Sequence, residues 1–317
     1  MTYPVDPEYR PLMEYVPVLD IADPSSTRER LRAQATTDPM SLVPESVEVI
    51  DEVAPVSDGT DVGLVVFRPA APADRALPVV LYFHGGGFVL GDARTDVRVP
   101  ARLAADLDAV VVSVNYRLAP EHPYPAPFDD GYAALEWVAA AEGHGFDPSR
   151  VVVAGTSAGA GLAAAVALKA RDTGGPTILF QALDSPVVDD RLVTDSSRRY
   201  TDTPMWTRQN AIDSWGHYLG GETGRDSITE YAAPARARDF SGLPPAYIAV
   251  TSFDPLRDEG IDYARALLGA GVPTELHLSP GTFHGATSLF PHAEISQRVN
   301  AAFTSAIRRA LESDRSR

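Results

Sequence analysis

Five consecutive residues, Gly155-Thr156-Ser157-Ala158-Gly159, have the types and spacing of a nucleophile site. They follow a short apolar run, Val151-Val152-Val153-Ala154, and precede a stretch of helix formers that opens near Ala158. A strand that turns abruptly into a helix holds the serine between them in a strained conformation, and flanking glycines leave room for the chain to fold back. The hydroxyl then stands exposed at a helix N-terminus, where developing negative charge is favoured. Upstream, His84-Gly85-Gly86-Gly87-Phe88 follows a second apolar run at 79–83. Three glycines after a buried strand let successive backbone N–H groups point into a cavity. Acyl transfer needs such donors for the oxygen that turns negative in the tetrahedral intermediate.

The serine stretch also carries a rival pattern. Gly159-Ala160-Gly161-Leu162-Ala163-Ala164 fits a loose dinucleotide-binding fingerprint, with Asp184 after the next strand as a ribose acid. Against it, the strand ends at Gly155, four residues before the first fingerprint glycine, and Ser157 is left without a role. The acid pairs Asp129-Asp130 and Asp189-Asp190 raise the question of a metal. Adjacent acids usually meet solvent or cap helices, and no histidine cluster has ligand spacing, so neither a metal nor a cofactor is expected.

The elements that would position these residues are legible as a rhythm. Val47, Val49, Asp51 and Val53 alternate, residues 62–67 form a second β run, and Ser57-Asp58-Gly59 reads as the hairpin turn between them. Apolar strands at 79–83, 109–114, 151–154, 178–182, 246–250 and 275–278 then alternate with helices near 97–107, 127–141, 158–171, 258–269 and 294–311. Continuous apolar strands, each followed by a helix, predict an α/β fold with a mainly parallel sheet covered on both faces. The first 45 residues are rich in Pro and charge, with a helix expected around 26–35. Between about Val187 and Leu243 no strand is read, but Tyr200, Met205, Trp206, Trp215 and Tyr218 are present. The expected organisation is a core at 46–186 and 241–317, with residues 1–45 and 187–240 forming a helical cap. The bland alternative is a surface excursion with its own small aromatic core.

Composition excludes several functions. Of 317 residues, 44% are hydrophobic and 22% charged, too apolar for a disordered chain. Twenty-seven basic against 43 acidic side chains give a net charge of −16, and Lys169 is the sole lysine. Such a surface repels nucleic acid and anionic membranes, so neither is an expected partner. Residues 151–168 carry no charge and just reach the length of a membrane span, but a Gly-rich break at 155–161 divides them into strand, turn and helix. The chain has no cysteine, which excludes disulfides, thiolate metal sites and a Cys nucleophile, and fits a cytoplasmic location. Residues 1–8 lack a basic start followed by an apolar stretch, so no signal peptide is expected. A monomer and a homodimer are both left open.

Taken with Tyr116-Arg117-Leu118-Ala119-Pro120-Glu121 and Asp254-Pro255-Leu256-Arg257-Asp258-Glu259, the glycine run and the serine motif resemble the hormone-sensitive-lipase-like branch of the α/β-hydrolase fold. The resemblance runs from about Val79 to the C-terminus and implies a bacterial carboxylesterase with a Ser–Asp–His triad and a cap built partly from the N-terminus. It also implies oxyanion donors at the N–H groups of Gly86, Gly87 and Ala158, with the Tyr116–Glu121 motif bracing the glycine loop without touching substrate. Many members have Asp where this chain has Thr156, and Gly where it has Ala160. The chain resembles the Gly-Thr-Ser-Ala-Gly subgroup.

In this fold the chain order is nucleophile, acid, base. After Ser157 come His217, His277, His284 and His292. His217 precedes the strand that should supply the acid, His277 lies within the last strand, and His292 adjoins the final helix. His284, in Gly281-Thr282-Phe283-His284-Gly285 just past the last strand, is the expected base. Asp254, following the strand at 246–250, is the expected acid, with Asp258 and then Asp184 as alternatives. His84 precedes the nucleophile and is expected to be structural.

The activity expected is hydrolysis of small soluble esters with short acyl chains through an acyl-enzyme, with no cofactor. Phe88, Trp206, Trp215 and Phe290 are candidates to line the substrate pocket, core packing being the alternative for each. Two rivals share the fold: a non-catalytic small-molecule receptor, disfavoured by the presence of His284, and an amidase, which sequence does not separate from an esterase.

Overall fold

A computed structural model describes residues 3–34, 37–71, 75–140 and 145–313. Eight strands form one sheet: β1 (Val47–Pro55), β2 (Asp61–Pro69), β3 (Leu77–Phe83), β4 (Val110–Asn115), β5 (Phe146–Thr156), β6 (Phe180–Asp184), β7 (Ala246–Phe253) and β8 (Thr274–Phe283). Their order is β1-β2-β4-β3-β5-β6-β7-β8, with β1 and β2 antiparallel and every pair from β4 to β8 parallel. The expected hairpin is present, and Gly59 turns it with φ of 88°.

Residues 79–83 of β3, 110–114 of β4 and 151–154 of β5 read as near-continuous apolar runs because both faces are covered there. Successive side chains alternate between two cores. Val79, Leu81, Phe83, Val112 and Val153 face one core with α3 (Ala126–Ala140) and α4 (Ala158–Thr173). Val80, Tyr82, Val111 and Val152 face the other, with α2 (Arg98–Leu107) and α9 (Glu294–Ser313). A third, smaller cluster joins Val5 and Tyr9 to Phe283, Phe290 and Ile295. Ala141, the expected end of α3, lies outside the described residues, as does Ala35 at the end of α1 (Pro24–Gln34).

Several strands depart from expectation: β5 already starts at Phe146, not 151, and β7 runs on to Phe253, not 250. β6 starts at Phe180, not 178, because it pairs with Val152–Thr156 and so runs on to Asp184. β8 continues to Phe283 although Pro280 and Gly281 look like strand breakers. Pro is tolerated there because β8 lies at the sheet edge, where a missing N–H need not break a ladder. Gly281 has φ of 76°, and its carbonyl accepts from the Asp6 N–H at 2.9 Å.

Between β6 and β7 no strand occurs among the described residues. This inserted stretch holds α5 (Asp195–Arg199) and α6 (Arg208–Tyr218), the latter opened by a capping box between Thr207 and Asn210. The Asn210 amide donates to the Leu19 carbonyl at 2.9 Å and His217 Nε2 to the Ile21 carbonyl at 3.0 Å, joining α6 to the N-terminal segment. α7 (Arg257–Gly269) and α8 (Ala286–Leu289) complete the chain. Among the described residues no helix is long and apolar enough to cross a membrane.

Candidate active site

Four strands deliver the candidate residues at their carboxyl ends. β3 ends at Phe83 before the glycine run, β5 at Thr156 before Ser157, β7 at Phe253 before Asp254, and β8 at Phe283 before His284. Ser157 occupies φ 57° and ψ −120°, a left-handed strained turn between β5 and α4. Its backbone N–H donates to the Asp184 carbonyl at 2.7 Å, which holds the turn against the sheet. Tight packing dictates the neighbouring glycines. A side chain on Gly155 would sit 2.5 Å from the Gly159 backbone, and one on Gly159 would strike the Phe83 and His84 carbonyl oxygens.

Ser157, His284 and Asp254 come together in a relay. Ser157 Oγ lies 2.9 Å from His284 Nε2, and His284 Nδ1 lies 2.7 Å from Asp254 Oδ2. A carboxylate only accepts, so Nδ1 carries the proton and Nε2 is free to accept from the serine hydroxyl. Asp254 is itself held in place: Thr251 Oγ1 donates to Oδ2 at 3.0 Å and the Leu256 N–H to Oδ1 at 2.9 Å. All three residues are buried. Burial pulls the His284 pKa down, but the charge of Asp254 and its hydrogen bond outweigh this and leave it above the ordinary imidazole value.

The alternative residues go elsewhere. Asp258 accepts from the Ser196 N–H at 2.8 Å and pairs with Arg257 at 2.8 Å. The Asp184 carboxyl accepts from Ser185 Oγ at 3.1 Å, and burial pushes its pKa up. His277 pairs with Glu275 at 2.7 Å on the edge strand, and His292 is exposed. The acid pairs are engaged by arginines, Asp130 with Arg117 at 2.6 Å, Asp189 with Arg191 at 2.7 Å, and Asp190 with Arg236 at 2.6 Å. No cluster of three potential metal ligands occurs among the described residues. Nor do the fingerprint glycines leave a phosphate cradle: the space beside Gly161, like that beside Gly159, is filled by a backbone carbonyl, here that of Val187.

His84 is buried and stacks on Tyr116 with ring centroids 4.2 Å apart. Burial drops its pKa to about 4, despite the Nδ1 bond to the Gly85 carbonyl, so it is neutral where an imidazole base would work. Tyr116 Oη donates to the His84 carbonyl at 2.7 Å, and the Ala119 N–H to that of Phe88 at 3.0 Å. From α1, Arg28 reaches the Val89 and Ala119 carbonyls, each at 2.7 Å, and pairs with Glu121. Neither Arg28 nor Thr251 announces such a role in sequence. A lone Arg on a polar helix and a Thr inside a strand are both ordinary.

The four pocket candidates separate. Trp206 packs its indole edge where a side chain on Gly87 would be, 2.5 Å from that position, with its ring 5.8 Å from His284. Phe88 and Trp215 are fully buried and pack against each other and Tyr218, Phe88 stacking on Tyr218 at 3.9 Å. That packing covers both almost completely. Phe290 belongs to the N-terminal cluster, 5.8 Å from Tyr9 and 6.5 Å from Phe283.

A family model of the alpha/beta hydrolase fold matches residues 80–288. Carboxylesterase NlhH of Mycobacterium tuberculosis is 40% identical over 314 residues, 97% of this chain and 96% of its own length. Esterase LipI of the same species is 41% identical over 284 residues, 89% of this chain and 87% of its own. The solved structure of a bacterial heroin esterase superposes with a TM-score of 0.91 at 43% identity, covering 97% of this chain and 98% of that one. Kinship of this extent, on the same fold, is decisive: the chain belongs to the α/β-hydrolase fold family, in its hormone-sensitive-lipase-like branch.

Proposed function

We propose that the protein is a serine carboxylesterase that hydrolyses small soluble esters with short acyl chains through an acyl-enzyme. Its relatives across nearly the whole chain are carboxylesterases and esterases, and by that kinship it is a carboxylic ester hydrolase. The observation that carries the finer reading is the relay of 2.9 and 2.7 Å from Ser157 through His284 to Asp254. His284 Nε2 takes the proton of Ser157 as Oγ attacks the ester carbonyl. Asp254 holds the imidazole tautomer and stabilises the imidazolium without taking the proton.

The tetrahedral oxyanion rests on the N–H groups of Gly86, Gly87 and Ala158. Ala158 is the first residue of α4, where the N–H has no partner within the helix. His284 then gives its proton to the departing alcohol, and water attacks the acyl-enzyme with the same imidazole as base. Residues 3–34 and the inserted stretch, joined through Asn210 and His217, act as the cap over this site. Trp206 forms the wall between glycine loop and base.

Reaction with one equivalent of an organophosphonate, followed by peptide mapping, tests the reading. The expected result is a single adduct on Ser157 with complete loss of ester turnover. Labelling elsewhere, or activity surviving full labelling, overturns it.

A further inference from the structure

The N–H groups of Gly86 and Gly87 can serve as a paired oxyanion site only if the glycine loop keeps one conformation. Gly86 has φ of 124° and Gly87 of 60°, and even Phe88 is at 63°. Glycine populates such values without preferring them, so something outside the loop's own torsions must hold it. The partners of its carbonyls show what does. The His84 carbonyl accepts from Tyr116 Oη at 2.7 Å, and the Gly85 carbonyl bonds His84 Nδ1 at 2.8 Å. The Gly86 carbonyl accepts from the N–H groups of Val89 at 3.1 Å and Leu90 at 2.8 Å. These bonds all come from the core. The fourth does not: the Gly87 carbonyl accepts at 2.6 Å from Ser214 Oγ, a buried hydroxyl on α6 of the inserted stretch. Among the described residues, no hydrogen bond takes the N–H groups of Gly86 or Gly87 themselves.

We propose that Ser214 is a positioning residue for the oxyanion site, its hydroxyl fixing the Gly87–Phe88 peptide so that the seating of α6 sets how well the Gly86 and Gly87 donors are aimed. The inference rests on the esterase reading above. The core holds the peptides that carry the Gly86 and Gly87 N–H groups through the Gly85 and Gly86 carbonyls, while among the described residues the next peptide is held at its carbonyl by Ser214. Gly87 sits between the core-held part of the loop and the inserted stretch, with Ser214 Oγ and the Trp206 ring closest to where a side chain would be. Without the hydroxyl, the Gly87 carbonyl is buried with one partner fewer, and the peptide is free to rotate toward another. Rotation of that peptide shifts the Gly87 Cα and with it the neighbouring Gly87 N–H, the donor nearer the unsupported end of the loop, away from the oxyanion. The cost therefore falls on the transition state.

Steady-state kinetics with p-nitrophenyl butyrate test this on the full chain. Ser214→Ala should lower kcat by about 10-fold to 100-fold, less than the loss of a whole donor, with KM within about twofold. A trifluoromethyl ketone, whose serine adduct carries the oxyanion, should lose affinity by the same factor as kcat/KM. Ser214→Cys, similar in volume and a weaker donor, should fall between serine and alanine and gives the same reading if the alanine variant does not fold. Ile307→Ala opens a cavity under α9, in the core on the other face of the sheet from α6; it should lower the melting temperature but leave kcat within about twofold at 25 °C. Wild-type kcat in the Ser214 variants, a loss confined to KM, or an equal kcat loss in Ile307→Ala overturns the proposal. A wild-type enzyme that takes no phosphonate on Ser157 instead overturns the esterase reading on which it stands.

Discussion

Asp254 and His284 each stand one residue beyond a registered pair of neighbouring parallel strands, Phe253 opposite Phe283. Adjacent strands run about 4.8 Å apart, so side chains leaving the same level of two strand ends can meet without any long loop. Asp254 Oδ2 and His284 Nδ1 do so at 2.7 Å. The level match is not automatic. Thr251 pairs with Ser279, yet Phe253 pairs with Phe283, so β8 spends four residues where β7 spends two. The surplus lies around Pro280 and Gly281, with Gly281 at φ 76°, and it acts as a bulge that brings the imidazole level with its carboxylate.

Gly281→Val should therefore damage both fold and catalysis. A side chain at that φ costs about 1–2 kcal/mol, and this one would also approach the Asp6 backbone at 3.0 Å. The expected result is a lower melting temperature together with a kcat loss that persists well below it, because His284 is displaced from Asp254. A variant that is destabilised but turns over at the wild-type rate when folded would show that the bulge does not set the level.

Ser157→Ala should abolish ester turnover and leave the fold intact. Among the described residues the serine side chain makes its hydrogen bond only to His284 Nε2, while the turn itself is held by the backbone bond to Asp184. Loss of a nucleophile should cost about 10⁴-fold to 10⁶-fold in kcat, with circular dichroism and melting temperature near wild type. More than a tenth of wild-type activity in the pure variant would place the chemistry elsewhere.

Asp254→Asn should cost about 10⁴-fold in kcat, and Asp258→Asn far less, since Asp258 touches Ser196 and Arg257 and not the imidazole. The pH profile carries the same information. The base works only when neutral, so kcat/KM falls as pH drops through the His284 pKa. That pKa is raised: burial lowers it, but the Asp254 charge and hydrogen bond raise it more. The acid limb of the wild type should thus lie above the ordinary imidazole value of about 6.5. In Asp254→Asn the larger raising influences are gone and burial stands against the Asp184 charge alone, so the residual activity should persist to lower pH. A limb that does not move would assign the titration to another group.

What could be read from the sequence was what the backbone demands locally. Gly155 and Gly159 flank Ser157 because each abuts a backbone atom, and a demand of that kind leaves a mark at fixed spacing. The buried strands were legible because β3 and the 150–155 part of β5 have no solvent-facing side to interrupt their apolar runs, whereas the start of β5, with Pro148 and Ser149 exposed, was not. Asp254 and His284, which the structure brings within hydrogen-bonding distance, could be picked as candidates through chain order, but the true end of β8 could not: Pro280 and Gly281 spell a stop, and only the edge position with the Asp6 contact makes them a bulge. Ser214 and Arg28 were invisible for a related reason. Each acts on a carbonyl far away in sequence, at Gly87 and at Val89, and a hydroxyl or guanidinium on a helix carries no pattern that names its acceptor. Of the aromatic residues, sequence could tell that they cluster but not which one faces the site, since Phe88 and Trp215 differ from Trp206 only in what packs around them.

Acyl-chain length should reveal how much room that arrangement leaves. Trp206 lies between Gly87 and His284, the two groups that the proposed mechanism sets around the acyl carbonyl, and it is itself almost fully buried. Its neighbours do not yield easily, since Ser214 is hydrogen-bonded to the Gly87 carbonyl and α6 is tied to the N-terminal segment through Asn210 and His217. Each methylene buried in the acyl pocket contributes about 0.8 kcal/mol, so kcat/KM should climb with chain length until the pocket is full and then drop. For p-nitrophenyl esters below their micelle threshold, the maximum is expected at about two to six carbons, a compact pocket holding little more than that at this gain per methylene. Trp206→Ala removes the wall and should move the maximum toward longer chains, with a lower rate on acetate. The net charge of −16, with a single lysine, gives no attraction to an anionic lipid surface. Triolein emulsions should accordingly give no jump in rate as an interface forms. Rates still rising at twelve carbons in the wild type, or a maximum that ignores the loss of Trp206, would mean that the acyl chain runs along a different wall.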